Sequence, residues 1–218
     1  YVLKYFKTDA PRLVESVKTQ VKDIEIRKTK GVSKDISLKR AWGLMQEDNV
    51  VTLPCVTEEG ILEGVITIGD ITKSYMNLYD SSIISKARTK YSNILDTLEG
   101  TIVVGSAEEY FDKGKVLIAA ANPDLMENYI EKNDLVILGN RYESQLCAIE
   151  MEAGCIIVCE GAGVSLTIRK LAQERGCTVM TTPYDTYTTA RLINQSMPVS
   201  HFMTMENVIA FSDEDYLD

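Results

Sequence analysis

The sequence predicts an α/β protein in two parts: an α+β unit over residues 20–98, then a doubly wound parallel-sheet α/β domain over 100–198. Two patterns carry this. Past Gly100, five short apolar runs (101–105, 115–120, 135–139, 155–159 and 178–182) alternate with helical stretches near 107–113, 124–132, 143–152, 164–175 and 186–195. Strands apolar nearly throughout and separated by helices belong to a parallel sheet covered on both faces. Before Gly100 the order is strand, helix, strand, turn, strand, helix. With 45% hydrophobic residues in 218, the chain can fill cores of this size.

The elements follow in order. Residues 31–38 lead into a helix marked by Ala41, Trp42, Leu44 and Met45. Residues 49–57 read as a strand, Glu59-Gly60 as a turn, and 61–67 as the returning strand. A helix follows through Tyr75-Met76-Asn77-Leu78-Tyr79, and 80–98 is helical in part. In the second domain, Pro123-Asp124 marks one helix start, and Gly176 follows the last turn of another after Arg175.

Residues 61–75 are the most informative. The β-branched run ends in Thr67, and Asp70 follows three residues later where a helix begins. A threonine hydroxyl can donate to a phosphate, a carboxylate can accept from a ribose hydroxyl pair, and helix-end amides favour an anion. The alternative is structural: Asp70 caps a helix beginning near Ile71.

The stretch Gly64-Val65-Ile66-Thr67-Ile68-Gly69-Asp70, with the element order around it, resembles a CBS motif, an adenine-nucleotide-sensing unit. The resemblance implies a phosphate near Thr67, a ribose near Asp70, and adenine wedged between Ser33 and the Thr52-Leu53-Pro54 strand. The implied regulatory ligand is AMP, ADP, ATP or a related adenine nucleotide.

Two loops of the second domain fall at strand C-termini, where ligands sit in open α/β sheets: Gly139-Asn140-Arg141 and Glu160-Gly161-Ala162-Gly163. With Thr182-Pro183-Tyr184-Asp185 they resemble the signatures of a DRTGG domain, although Asn140 replaces the family's aspartate and Glu160-Gly161-Ala162-Gly163 its Thr-Gly-Gly. A dinucleotide fingerprint is disfavoured, because Leu166 stands where the third glycine belongs. The glycines suit a tight strand-to-helix turn. Arg141 and Asp185 are expected at subunit contacts.

A net charge of −9 and a pI near 4.8 argue against a nucleic-acid surface. No apolar run approaches the roughly 20 residues of a membrane span. Five cysteines, an odd set, suit reduced thiols in cytoplasm. Cys155 and Cys159 share one face of a strand but stand about 13 Å apart, too far for one zinc ion. The single histidine, His201, excludes two-histidine chemistry in one chain.

Val199-Ser200-His201-Phe202-Met203 and Val208–Asp213 repeat the pattern of 21–25 and 31–35, with Tyr216-Leu217 matching Ser37-Leu38. Residues 199–218 are therefore expected to open a second CBS motif. Tyr1 and Asp218 both read as cuts through a longer polypeptide. A CBS motif, a DRTGG domain and a second CBS motif in this order resemble the regulatory insert of CBS-containing family II inorganic pyrophosphatases. Residues 1–11 and 17–21 resemble the end of that enzyme's preceding catalytic segment, so 1–19 is assigned to it. The resemblance implies a homodimeric cytoplasmic parent with manganese or cobalt held by DHH motifs outside this chain, and no catalysis by the chain alone. The alternative is a stand-alone nucleotide-binding and dimerisation module.

Overall fold

The computed structural model describes residues 2–9, 17–26, 28–76 and 80–217. The expected helix continuation through Asn77, Leu78 and Tyr79 lies outside the described residues, as do Ala10 and Pro11 of the N-terminal flank and the terminal Tyr1 and Asp218. The chain divides into two compact units, 1–28 with 207–218, and 29–206.

The smaller unit has a helical turn α1 (Val2–Tyr5) and a 3-10 helix at Val21–Asp23. Gln20 heads the latter, its amide donating to Asp23 Oδ2 at 2.9 Å and its Nε2 to the Glu214 carbonyl at 2.7 Å. Val21 and Lys22 donate their amides to the carbonyls of Asp215 and Asp213, and Leu217 to that of Thr19.

The larger unit opens with α2 (Leu38–Glu47). Ser37 caps it by accepting from the Arg40 amide at 3.1 Å, and Leu38, Ala41 and Met45 recur on one buried face. The hairpin β1 (Thr52–Val56) and β2 (Leu62–Thr67) is antiparallel, with Thr52 opposite Thr67, Leu53 opposite Ile66 and Pro54 opposite Val65. Alternation sends Leu53, Cys55 and Ile66 into the core and leaves Thr52, Pro54, Val65 and Thr67 on the other face. Val32 bridges Cys55 on the outer edge of β1, and Thr204 bridges Val65 on the outer edge of β2. Helix α3 (Ile68–Met76) follows directly, starting before the Ile71 that the sequence suggests.

Short α4 (Ile83–Lys86), β3 (Thr89–Lys90) and α5 (Tyr91–Leu98) lead into β4 (Thr101–Val104). The helix expected over 107–113 is instead a turn and β5 (Tyr110–Phe111), which pairs antiparallel with β3. Only Phe111 in that stretch is buried, so it offers no apolar stripe for a helix to cover.

Strands β6 (Val116–Ile118), β7 (Leu135–Leu138), β8 (Cys155–Val158) and β9 (Thr178–Thr181) are parallel in the sheet order β4-β9-β8-β7-β6. β4 runs antiparallel at the edge, paired to β9 and joined to it by a 2.8 Å hydroxyl bond between Thr101 and Thr181. Two of the three inner strands, β7 and β8, are buried along their whole length, which accounts for their unbroken apolar sequence.

The parallel strands advance one way across the sheet. Right-handed crossovers therefore place their helices α6 (Pro123–Met126), α7 (Tyr142–Glu150) and α8 (Leu166–Arg175) on one face. Met126, Ala148 and Ile168 pack there against Val136, Ile156 and Val158. The second face is covered by flanking elements, α5 and α9 (Thr186–Leu192) with the 3-10 turn behind it. Ile94, Leu98, Ile193 and Met197 share one cluster with Ile137, Ile157 and Met180 of the sheet and with Leu38, Leu53 and Ile66 of the hairpin unit. The two parts expected from the sequence thus share a core.

Candidate functional site

Thr67 and Asp70 bond to each other. The Asp70 Oδ2 accepts from the Thr67 amide at 2.9 Å and from its hydroxyl at 2.7 Å, while the Asp70 amide donates to Thr67 Oγ1 at 3.2 Å. This reciprocal pair is a capping box at the start of α3, with Thr67 as the cap and Asp70 as its partner three residues on. The Ile68 amide donates to the Val51 carbonyl, which leaves Gly69 as the exposed amide of the first turn. In this arrangement the Thr67 proton points to Asp70, and the carboxylate's Oδ1 stands outside the pair.

The other sequence-predicted residues lie on or beside the hairpin without lining one cleft. Ser33 follows Val32 on the edge of β1, while Thr52 and Pro54 face the same side as Thr67. Gly31 lies on that side too, because a β-carbon there would collide with the Val56 side chain. Leu53 is the exception: its side chain is buried, so at that position β1 offers a ligand only backbone. A cleft of about 510 Å³ opens beside Ser33, lined also by Gly31, Lys34, Asp35, Val56 and Glu63; Thr52, Thr67 and Asp70 are not among its walls. Lys34 is ion-paired with Glu63, whose hydrogen bond and charge hold the lysine pKa above its ordinary value.

Two features here escape the sequence reading. One is the Lys34–Glu63 pair, which bridges positions far apart in the chain. The other is the strand-like contact of Thr204, which exchanges both backbone hydrogen bonds with Val65 at 2.9 Å. Gly64 signals it, since a β-carbon at that position would lie 2.6 Å from the Thr204 carbonyl oxygen.

The loops of the α/β domain are built by structural bonds. Glu160 and Gly161 both adopt left-handed backbone, and their amides donate to the carbonyls of Tyr184 and Thr182 at 2.8 Å. The Asp185 carboxylate caps α9, accepting from the Thr188 amide at 2.9 Å and hydroxyl at 2.6 Å, which holds its pKa below the ordinary value. The Arg141 guanidinium donates to the Ala121 carbonyl at 3.3 Å. No group of three or more His, Cys, Asp or Glu able to hold a metal ion occurs among the described residues. Nor is any helix among them long and apolar enough to cross a membrane.

The CBS domain model matches residues 21–77 and the DRTGG domain model residues 93–196. The chain is 37% identical over its whole length to a cobalt-dependent inorganic pyrophosphatase of Clostridium perfringens, and spans 40% of that protein. It is 28% identical over 94% of its length to a probable manganese-dependent inorganic pyrophosphatase of Thermotoga maritima, spanning 37% of it. A crystal structure of the CBS and DRTGG domains of the Clostridium perfringens pyrophosphatase regulatory region, complexed with the activator diadenosine tetraphosphate, superposes with a TM-score of 0.85 at 36% identity. That match covers 91% of this chain and 86% of the other. The chain belongs to the family of pyrophosphatase regulatory regions built from CBS and DRTGG domains.

Proposed function

We propose that this chain is the adenine-nucleotide-sensing regulatory region of an inorganic pyrophosphatase. The observation that carries the reading is its similarity, over 91% of its length, to a regulatory region solved with diadenosine tetraphosphate. The ligand is AMP, ADP, ATP or a dinucleotide polyphosphate, seated on the outer face of the β1–β2 hairpin. Adenine lies between Ser33 and the strand Thr52-Leu53-Pro54, with Leu53 contributing backbone. Asp70 accepts from the ribose through Oδ1, and a phosphate lies over the Gly69 amide beside Thr67.

In the parent enzyme, manganese or cobalt and the diphosphate sit in a catalytic domain outside this chain. Residues 199–218 open a second CBS motif, and the α/β domain is the dimer-forming spacer of a cytoplasmic homodimer. The core shared by hairpin and sheet supports a role for that domain in transmission. A ligand shifts a conformational equilibrium only by its differential affinity for the two states, and such couplings are about 1–3 kcal/mol. AMP or ADP is therefore expected to lower activity several-fold without abolishing it.

Isothermal titration with AMP tests the site, using the wild-type chain beside Asp70→Ala and Asp70→Asn. Loss of binding in both variants is expected, since neither keeps a charged acceptor for the ribose. Equal affinity in all three proteins removes Asp70 from the site.

A further inference from the structure

The turn that carries Ser33 is held from outside its own motif. Within the turn, Ser33 Oγ accepts from the Asp35 amide at 3.2 Å and the Ser33 carbonyl from the Ile36 amide at 3.4 Å. Both lengths are at or beyond the usual upper limit, so these bonds fix the turn only weakly. The next three carbonyls are all taken by donors distant in the chain. Lys34 accepts from the Ser200 amide at 2.8 Å and Ile36 from the Val199 amide at 2.9 Å. Between them, the Asp35 carbonyl accepts from Nδ2 of Asn93 at 2.9 Å. Asn93 is the one side chain among these donors. It stands in α5, within the residues that the DRTGG model matches and outside those that the CBS model matches.

Helix α5 is itself fixed to the sheet. Ile94 and Leu98 are buried in one cluster with Ile137 and Ile157, and the Leu98 carbonyl accepts from the Thr182 hydroxyl at 2.6 Å, just past the end of β9. Toward the hairpin unit the contact at Asn93 is looser. Asn93 lines two cavities, one of about 410 Å³ shared with Ser37, Lys39 and Gly43, the other of about 300 Å³ shared with Asp35, Arg88 and Lys90. With open space on either side, no close packing stands in for its hydrogen bond. A shift of the turn relative to α5 therefore acts first on this bond.

We propose that Asn93 is a positioning residue for the nucleotide site, through which the α/β domain sets the Ser33 turn in its binding shape. This rests on the nucleotide-binding reading above, in which adenine lies beside Ser33. Asn93 acts through the Asp35 carbonyl and not on the ligand itself. Where the turn holds its binding shape for only part of the time, apparent affinity falls by that fraction. The coupling is reciprocal, so a nucleotide that prefers the formed turn strengthens the hold between turn and α5. Occupancy is thereby felt at α5 and, through Thr182, at the end of β9.

Isothermal titration of the 218-residue chain with AMP tests this, using wild type, Asn93→Leu, Asn93→Ala and Lys39→Met. Leucine has about the size of asparagine without the donor. Lys39→Met removes the bond from Lys39 Nζ to the Thr97 carbonyl at 2.9 Å, which also joins α2 to α5 but leaves the turn alone. Both Asn93 variants should bind AMP ~three- to tenfold more weakly, the range for one net hydrogen bond, and Lys39→Met within ~twofold of wild type. Nuclear magnetic resonance adds a readout that a merely structural role would not move. The side-chain amide signal of Asn93, assigned by its loss in Asn93→Leu, should shift when AMP saturates the wild-type chain. Equal AMP affinity in wild type and both Asn93 variants overturns the proposal, as does an unmoved Asn93 signal while calorimetry shows AMP bound. An equal loss of affinity in Lys39→Met also overturns it, since the effect would then belong to the packing of α5. Absence of AMP binding to wild type counts against the nucleotide reading, and the positioning role is then decided by amide hydrogen exchange. Without ligand, Asp35 and Ser200 should exchange ~threefold or more faster in Asn93→Leu than in Lys39→Met, and equal rates overturn that role.

Discussion

Single glycines show how much local chemistry the hairpin unit depends on. At Gly64 a β-carbon would meet the Thr204 carbonyl oxygen at 2.6 Å, backbone that cannot rotate away. Gly64→Ala should therefore cost about 1–3 kcal/mol, the range for overpacking a fitted site. Gly43 lies within α2 with nothing inside 4 Å of a built β-carbon. Gly43→Ala should stabilise by up to about 1 kcal/mol, because alanine loses less backbone entropy in a helix. Urea titrations of the two variants should move in opposite directions; a shift of the same sign in both contradicts the packing described. Asp70 belongs to the same scale. Its pairing with Thr67 makes the structural and the ligand-binding readings of that motif compatible, since the cap uses Oδ2 and leaves Oδ1. The sequence could not decide between them, because both need the same residue types at the same spacing.

At the scale of elements, the sheet and the hairpin unit are expected to unfold together. Leu53 and Ile157 stand in one cluster although they belong to different parts of the chain. Either one replaced by alanine should destabilise by about 2–5 kcal/mol, the usual cost of deleting a large buried aliphatic side chain. Calorimetric unfolding should show each variant lowering a single transition; two separable transitions, with each variant moving only one, would mean that the parts do not share a core. The strands β6 to β9 and the helices α7 and α8 were legible in the sequence because short unbroken apolar runs and their punctuation are local signals, whereas the helix expected over 124–132 ends already at Met126. The direction of β4 was not, since it depends on which neighbour the edge strand finds. Nor was the β3–β5 pair, two residues on each side and without an apolar period. Thr52 and Thr67 share one face of the hairpin in the structure; the sequence brought them together with Ser33 only through the resemblance to the CBS motif. The burial of Leu53 is a structural finding that the family resemblance did not indicate.

For the whole molecule, the five cysteines give a simple test of how completely the cores are closed. All are free and buried. Burial raises the thiol pKa of Cys177 to about 12 and that of Cys155 well above the ordinary value, with Cys177 adding to the cost of ionising Cys155. The thiolate is the reactive form, so at pH 8 both should resist a thiol-modifying reagent in the native chain and react at once in denaturant. Mass spectrometry after a timed pulse reads this directly; rapid native labelling of Cys155 or Cys177 would mean that the sheet opens far more than its packing implies. The repeat of 21–25 by 199–203 was visible in the sequence as a resemblance of short segments, but the matching bonds, Val21 and Lys22 to Asp215 and Asp213 and Val199 and Ser200 to Ile36 and Lys34, depend on partners far away in the chain.

The central claim is that an adenine nucleotide sits on the outer face of the hairpin unit and not on the α/β sheet. Photolabelling with an azido-adenine nucleotide, followed by peptide mapping, tests this most directly. The account predicts label on peptides containing Ser33 and Thr52–Val56, suppressed by excess AMP. Label confined to the loops at 139–141 and 160–163, suppressed in the same way, would contradict it.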